Sequence, residues 1–163
     1  ESNKNKIGIV IHGGAGTILK ENMTPELENS YIIKLEEAVM AGYDILKNGG
    51  SSKDAVEQAI RVMEDSPLFN AGVGAVLTND ERVSLDASFM DGKNLNAGAI
   101  AGSSYIKNPI SAAIDVMDKS PHVLLSSKGA DDFAIEMGID TVPNSYFITE
   151  RRLNSLRLSL IHI

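Results

Sequence analysis

The sequence contains no cysteine. This absence excludes disulfide bonds, thiolate nucleophiles and cysteine-based metal sites. Basic residues are also few, because 15 lysines and arginines stand against 22 aspartates and glutamates and give a formal net charge of −7. Nucleic acids and anionic membranes bind positively charged surfaces, so neither is expected as a partner. The composition therefore favours a small-molecule ligand.

Long apolar segments are missing as well. The longest ones are far shorter than a membrane span, and no charged-then-apolar leader opens the chain. We expect a cytoplasmic protein, and a periplasmic or secreted location stays open if a leader preceded Glu1. The 163 residues, 43% hydrophobic and 23% charged, are typical of one soluble globular domain.

Residues 63–78 hold the most distinctive local pattern. Pro67 ends a helical pattern, Gly72 and Gly74 permit positive φ, and residues 75–77 resume an extended apolar run. Asn70 is thereby placed at the mouth of a predicted strand. Its amide could donate to a developing oxyanion, and the carbonyl oxygens around it could bind a hard cation. The alternative is an Asx-turn in which Asn70 bonds its own backbone.

A second glycine-rich stretch lies near the N-terminus. The β-branched run from Ile7 to Ile11 predicts a strand buried on both faces, and His12, Gly13 and Gly14 follow it. Such a turn can cradle an anion and resembles the oxyanion loop of esterases. The chain lacks a Gly-x-Ser-x-Gly elbow, a P-loop and a dinucleotide fingerprint, which counts against those readings. We expect His12 itself to be a strand-end histidine bonded to backbone.

The rest of the chain mixes helical and strand patterns. Residues 83–90 alternate apolar and polar side chains and, with a turn at Asp91-Gly92, predict a hairpin with residues 95–101. The small residues of the returning strand predict that something packs very closely over it. Thr24 is predicted to cap a helix that begins at Pro25 and closes at Gly49, and Asn108 is predicted to cap a helix that ends at Ser120. Further helices are predicted from Ser51 to the residues before Pro67, from Ser127 to Gly138 and from Thr149 to Arg157.

Five motifs occur together in a fixed order: Val10 to Gly16, Pro67 to Thr78, Leu85 to Gly92, Ala97 to Gly102 and Ser120 to Leu124. This set resembles the plant-type L-asparaginase or isoaspartyl aminopeptidase family of N-terminal nucleophile hydrolases. The resemblance implies an α/β (α+β) fold, a four-layer αββα sandwich that is incomplete without the β portion. It also implies a precursor that cuts itself and exposes a threonine, which attacks asparagine or a β-aspartyl peptide.

The resemblance assigns roles to individual residues. Asn70 resembles the active-site amide beside the nucleophile. His12, Gly13 and Gly14 resemble the glycine loop that moves during self-cleavage. No organic cofactor is implied, but a structural sodium ion is, with main-chain oxygen ligands from Met63, Glu64, Ser66, Phe69, Ala71 and Val73.

The nucleophile's Gly-Thr-Val-Gly motif is absent from the chain. We therefore expect this chain to be an α portion that is inactive alone. Together with a β portion it is expected to form an αβ unit, which dimerises to (αβ)2 and hydrolyses asparagine or β-aspartyl dipeptides. One alternative is a catalytically inactive fragment that acts as an interaction module. Another is an esterase-like hydrolase that uses His12, Gly13 and Gly14 as its oxyanion loop.

The predicted boundaries follow from the same motifs. Residues 1–6 are expected to form a disordered tail, and residues 7–157 to form the α portion. The ending, residues 158–163, has neither cap nor turn chemistry. It is expected to be a non-native tail.

Overall fold

The structure, a computed structural model, describes residues 6–14 and 23–161. Most of the tail predicted for residues 1–6 lies outside these ranges, and so do the last two residues of the tail predicted for residues 158–163. The described residues form two compact units that divide between Met63 and Glu64. Within these ranges no helix combines the length and the apolar character that a membrane span requires.

Two helices dominate the first unit. The cap predicted for the first of them is confirmed, because Oγ1 of Thr24 accepts the N–H of Leu27 at 3.2 Å and proline occupies the first turn. The helices are α1, Pro25–Lys47, and α2, Ser52–Glu64, whose last residue belongs to the second unit.

A close approach between these helices depends on glycine. A Cβ atom at Gly42 of α1 would lie 2.6 Å from the carbonyl oxygen of Ala55 in α2, which is too close for any larger residue. Ala38 and Ala55 are almost completely buried. Small side chains therefore set the packing distance in this unit.

The strand predicted from Ile7 to Ile11 does not form in the described structure. This segment carries no strand assignment, and Val10 is 95% exposed. A strand needs backbone partners on a neighbouring strand, and the sheet of the described chain is built only from residues of the second unit. The prediction was wrong here because a local β-branched pattern cannot supply that neighbour.

The second unit contains a three-stranded sheet in the order β1-β2-β3. The first two strands form the predicted antiparallel pair, from Met90 opposite Ala97 to Leu85 opposite Ser103, with a register shift after Leu85. The third strand runs parallel to the second. The strands are β1, Leu85–Met90, β2, Ala97–Ser103, and β3, Leu124–Ser126.

Three helices and a short 3-10 helix complete this unit: α3, Pro109–Lys119, α4, Ser127–Glu136, the 3-10 helix Asn144–Phe147, and α5, Glu150–Ile161. Helix α3 contacts all three strands, and α4 contacts β2 and β3. A Cβ atom at Gly98 of β2 would lie 2.1 Å from the carbonyl oxygen of Ala113 in α3. The predicted close packing over this strand is confirmed.

Two groups of buried side chains hold the second unit together. One lies between the sheet and helices α3 and α4 and includes Ile100, Ile106 and Val116. The other lies beside residues 65–76 and consists of Ala75, Val83, Leu85 and Phe147. Residues 75–77 do not form the expected strand. Only Leu77 pairs, in an isolated antiparallel bridge with Val83, so the predicted strand was too long.

The fold is a mixed α/β arrangement, as predicted. The alternation in β1 also holds, because Leu85 is buried while Asp86, Ser88 and Met90 are exposed. One face of this strand therefore carries the core. The four-layer sandwich stays a prediction, since the described residues contain a single three-stranded sheet.

Candidate active site

The central loop, residues 65–76, requires glycine at two positions. Gly72 and Gly74 have φ of 47° and 93°. A Cβ atom on Gly72 would lie 2.2 Å from the carbonyl oxygen of Glu64, and one on Gly74 would lie 2.7 Å from that of Pro67. The loop backbone therefore folds tightly against itself, as the glycines predicted.

Asn70 lies near the middle of this loop and is exposed. Its Oδ1 accepts the N–H of Val76 at 2.8 Å. The bond spans six residues, whereas an Asx-turn spans two, so the Asx-turn alternative was wrong. Within the described part of the chain no hydrogen bond reaches Nδ2 of Asn70. The carboxamide is thus held by its oxygen, and its N–H groups are available to a ligand.

A cavity of about 280 Å³ opens beside this amide. Asn70, Glu64, Ser84 and Asp86 supply its polar lining. Asp86 follows the register shift in β1, and its Oδ1 accepts the N–H of Gly102 at 2.8 Å. The volume is near the lower limit for small-molecule pockets, so the site can take a small polar ligand.

The buried carboxylate of Glu64 ties the start of the loop to helix α3. Glu64 is 4% exposed; its Oε1 accepts the N–H of Ile110 at 3.0 Å, and its Oε2 accepts from Nδ2 of Asn108 at 3.2 Å. The prediction that the Asn108 side chain caps α3 was wrong, because that side chain makes no capping bond. Glu64 therefore supplies an acceptor for a backbone N–H group in the first turn of α3, although it lies 46 residues earlier in the chain.

Four of the main-chain oxygens predicted to bind sodium lie in or next to the central loop and have a lone pair for a ligand. The main-chain oxygen of Glu64 accepts the N–H of Val73 at 2.8 Å and keeps a second lone pair. In the described residues no hydrogen bond reaches the main-chain oxygens of Ser66, Ala71 and Val73. No group of acidic or histidine side chains there could hold a metal, so a cation would depend on these carbonyls.

Two predicted ligands differ in their setting. Phe69 is buried at 4% exposure within the loop, and its main-chain oxygen stays a predicted ligand. Met63 stands in the last turn of α2 and is the last residue of the first unit. Its assignment also stays a prediction.

The glycine-rich stretch, residues 12–14, belongs to the first unit, and all three residues are exposed. Gly14 has φ of 115°, and no described residue lies within 4 Å of the position its Cβ would take. The expectation that His12 ends a strand was wrong, because no strand precedes it. The roles predicted for His12, Gly13 and Gly14 stay predictions.

Sequence reasoning missed the first turn of α5. Nη2 of Arg151 donates to the carbonyl oxygen of Pro67 at 3.1 Å, and Nε of Arg152 donates to that of Gly74 at 2.6 Å. Cations are disfavoured in the first turn of a helix by the helix dipole. That mismatch was the signal that these arginines have partners elsewhere.

Known proteins resemble this chain over a range that contains the residues described above. A family model described as Asparaginase matches residues 5–160. The chain belongs to this asparaginase family. The matched range contains both the central loop and the glycine-rich stretch, so the family prediction made from five motifs is confirmed.

Several relatives are similar over most of the chain. An isoaspartyl peptidase of Salmonella typhimurium is 47% identical over 152 residues, which are 93% of this chain and 49% of that protein. A plant-type L-asparaginase of Pyrococcus horikoshii is 50% identical over 147 residues, 90% of this chain and 46% of that protein. These relatives are hydrolases, as predicted. The chain spans about half their length.

Proposed function

We propose that this chain is the α portion of an L-asparaginase or isoaspartyl (β-aspartyl) peptidase. A β portion would supply the nucleophile, a threonine at its own N-terminus. The substrate would be asparagine or a β-aspartyl dipeptide, and two αβ units would associate as (αβ)2. Family membership over residues 5–160 and coverage of about half of each relative support this assignment.

Asn70 is the observation that carries the proposal. Its carboxamide lines a cavity, is held through its oxygen by Val76, and keeps its N–H groups available. A preorganised N–H donor stabilises negative charge that develops on a carbonyl oxygen under attack. The side-chain amide of asparagine and a β-aspartyl peptide bond both develop such charge.

The reaction would proceed in two steps. The threonine hydroxyl oxygen bonds to the amide carbon, the C–N bond breaks, and the nitrogen leaves as ammonia or as the amine of an amino acid after it takes up a proton. Water then hydrolyses the ester and releases aspartate. Asn70 acts in both steps, because each passes through an oxyanion.

A sodium ion would stiffen the loop that carries Asn70. The main-chain oxygens that would hold it belong to Met63, Glu64, Ser66, Phe69, Ala71 and Val73. A monovalent cation needs no acidic ligands, which agrees with the absence of an acidic cluster among the described residues.

Reconstitution with a β portion tests the proposal. The chain is co-expressed with the threonine-initiated β portion of an isoaspartyl peptidase, and ammonia from asparagine and aspartate from a β-aspartyl dipeptide are measured. We expect hydrolysis by the complex and none by the chain alone. A matched complex in which that threonine is replaced by alanine should be inactive.

The same experiment separates the alternative function. A correctly assembled but inactive complex would favour an interaction module without catalytic activity. Hydrolysis by the isolated chain would contradict the proposal directly, because it would require a nucleophile within the chain.

A further inference from the structure

The first turn of α5 contacts the two sides of the central loop. Arg151 donates to the carbonyl oxygens of Pro67 and Leu68 at 3.1 and 3.4 Å, and Arg152 donates to that of Gly74 at 2.6 Å. These residues are about 80 positions apart in the chain, so no local preference brings them together. Hydrogen bonds from a charged donor are stronger than neutral ones.

Gly74 is held on both sides of its peptide unit. Its N–H donates to the carbonyl oxygen of Phe147 at 3.0 Å, while its own oxygen accepts from Arg152. Phe147 is completely buried in the hydrophobic group beside the loop. Residues 147–152 therefore connect the loop to the buried hydrophobic group that contains Phe147.

The place where Gly74 is held is also one where the backbone of the loop approaches itself closely. A Cβ atom on Gly74 would lie 2.7 Å from the carbonyl oxygen of Pro67, the same oxygen that accepts from Arg151. The two arginines thus fix two chain segments at a place where they lie close together. Between these segments lies Asn70.

The orientation of Asn70 depends on the position of Gly74. Its Oδ1 accepts the N–H of Val76, two residues after Gly74. A shift of the Gly74 peptide moves the Val76 N–H and turns the carboxamide that it holds. Displacements of about 1 Å at a reacting group can reduce turnover about 100-fold.

We propose that Arg152 is a positioning residue for the Asn70 carboxamide, assisted by Arg151. Arg152 does not line the cavity around Asn70, and it reaches the loop through the Gly74 carbonyl. The inference rests on the proposed function, because it assigns Arg152 a part in the turnover that Asn70 supports. It adds a determinant that lies outside the catalytic groups.

The test uses the whole protein with its β portion and the substitutions Arg152→Gln and Arg152→Lys. We expect Arg152→Gln to lower kcat about 10- to 100-fold with KM changed less than about twofold, because binding groups stay in place while the oxyanion donor turns. Arg152→Lys keeps a charged donor and should retain more turnover than the glutamine variant. Arg157→Gln, an exposed change on the same helix, serves as the control and should leave kcat unchanged.

A double-substitution cycle distinguishes positioning from general stabilisation. If Arg152 acts through Asn70, Arg152→Gln should lower kcat no further in a protein that already carries Asn70→Ala. Independent, multiplicative losses would overturn the proposal. An unchanged kcat in the folded Arg152→Gln protein would overturn it as well.

Nuclear magnetic resonance supplies a readout that does not need turnover. In the Arg152→Gln protein the side-chain amide signals of Asn70 and the backbone amide of Gly74 should shift, while those of the glycine-rich stretch should not. If these signals shift but no variant or wild-type protein hydrolyses substrate, the proposed function fails and the link to Asn70 stands. Unshifted Asn70 signals would refute the link itself.

Discussion

The two glycine-rich stretches of this chain look alike in sequence and differ in their surroundings. Around Gly14 no residue of the described ranges lies within 4 Å of the missing Cβ position. Around Gly72 and Gly74 backbone atoms lie 2.2 and 2.7 Å from that position. Glycine in the second stretch is required by crowding as well as by backbone angle, whereas in the first only the angle requires it.

The largest expected effect tests this difference directly. Gly72→Ala should lower the free energy of unfolding by about 4 kcal/mol, because a Cβ at φ of 47° adds left-handed strain to an overlap with the Glu64 carbonyl. Gly14→Ala carries strain without overlap and should cost about 1 kcal/mol. Urea unfolding of both variants measures the two values.

A third glycine serves as the control. Gly129 in α4 has open space at its Cβ position and no positive φ, so Gly129→Ala should stabilise the helix by about 0.5 kcal/mol. Equal losses for Gly72→Ala and Gly14→Ala would remove the distinction between the two stretches.

The next effect concerns the residue on which Gly72 packs. Glu64→Ala should lower the free energy of unfolding by about 2 kcal/mol, because it leaves the buried N–H of Ile110 without its acceptor and removes one acceptor of Asn108 Nδ2, which keeps its bond to Asp65. Glu64→Gln retains one acceptor oxygen and should cost about half as much. Denaturation of both variants measures the pair, and a neutral Glu64→Ala would show that the carboxylate does not anchor the loop.

The smallest effect lies at the exposed end of α5. The hydrogen bonds from Arg157, at 2.9 and 3.3 Å, lower the pKa of the Glu81 carboxyl. A carboxyl with a depressed folded pKa stabilises the fold above its unfolded pKa, and this contribution is lost as pH falls through the folded pKa. Because the pair is exposed, solvent screens it.

Arg157→Gln should therefore raise the pKa of Glu81 toward its ordinary value and leave the unfolding midpoint at neutral pH nearly unchanged. Titration of the Glu81 carboxyl by nuclear magnetic resonance checks the first part. A large loss of stability would show that this exposed ion pair contributes substantially to the free energy of unfolding, which contradicts the prediction.

Local patterns predicted the elements that depend on neighbours in sequence. The cap from Thr24 to Leu27 spans three residues, and the hairpin around Asp91 joins adjacent strands, so both could be read directly. The glycines at positions 72 and 74 likewise predicted a tight loop. Because Asn70 lies in this loop, the sequence also indicated it as a candidate site residue.

Contacts between distant residues could not be read in this way. The bond from Glu64 to Ile110 spans 46 residues, and that from Arg152 to Gly74 spans 78. Their partners become neighbours only after the second unit has formed. The expected strand at Ile7 to Ile11 failed for the related reason that a strand depends on a partner strand.

Replacement of Asn70 by alanine in the complex with a β portion tests the central claim most directly. The account predicts a fall in kcat of about 100-fold or more with KM nearly unchanged, because one oxyanion donor is lost, while unfolding shifts by only about 1 kcal/mol. A variant that turns over asparagine or a β-aspartyl dipeptide at the wild-type rate would contradict it.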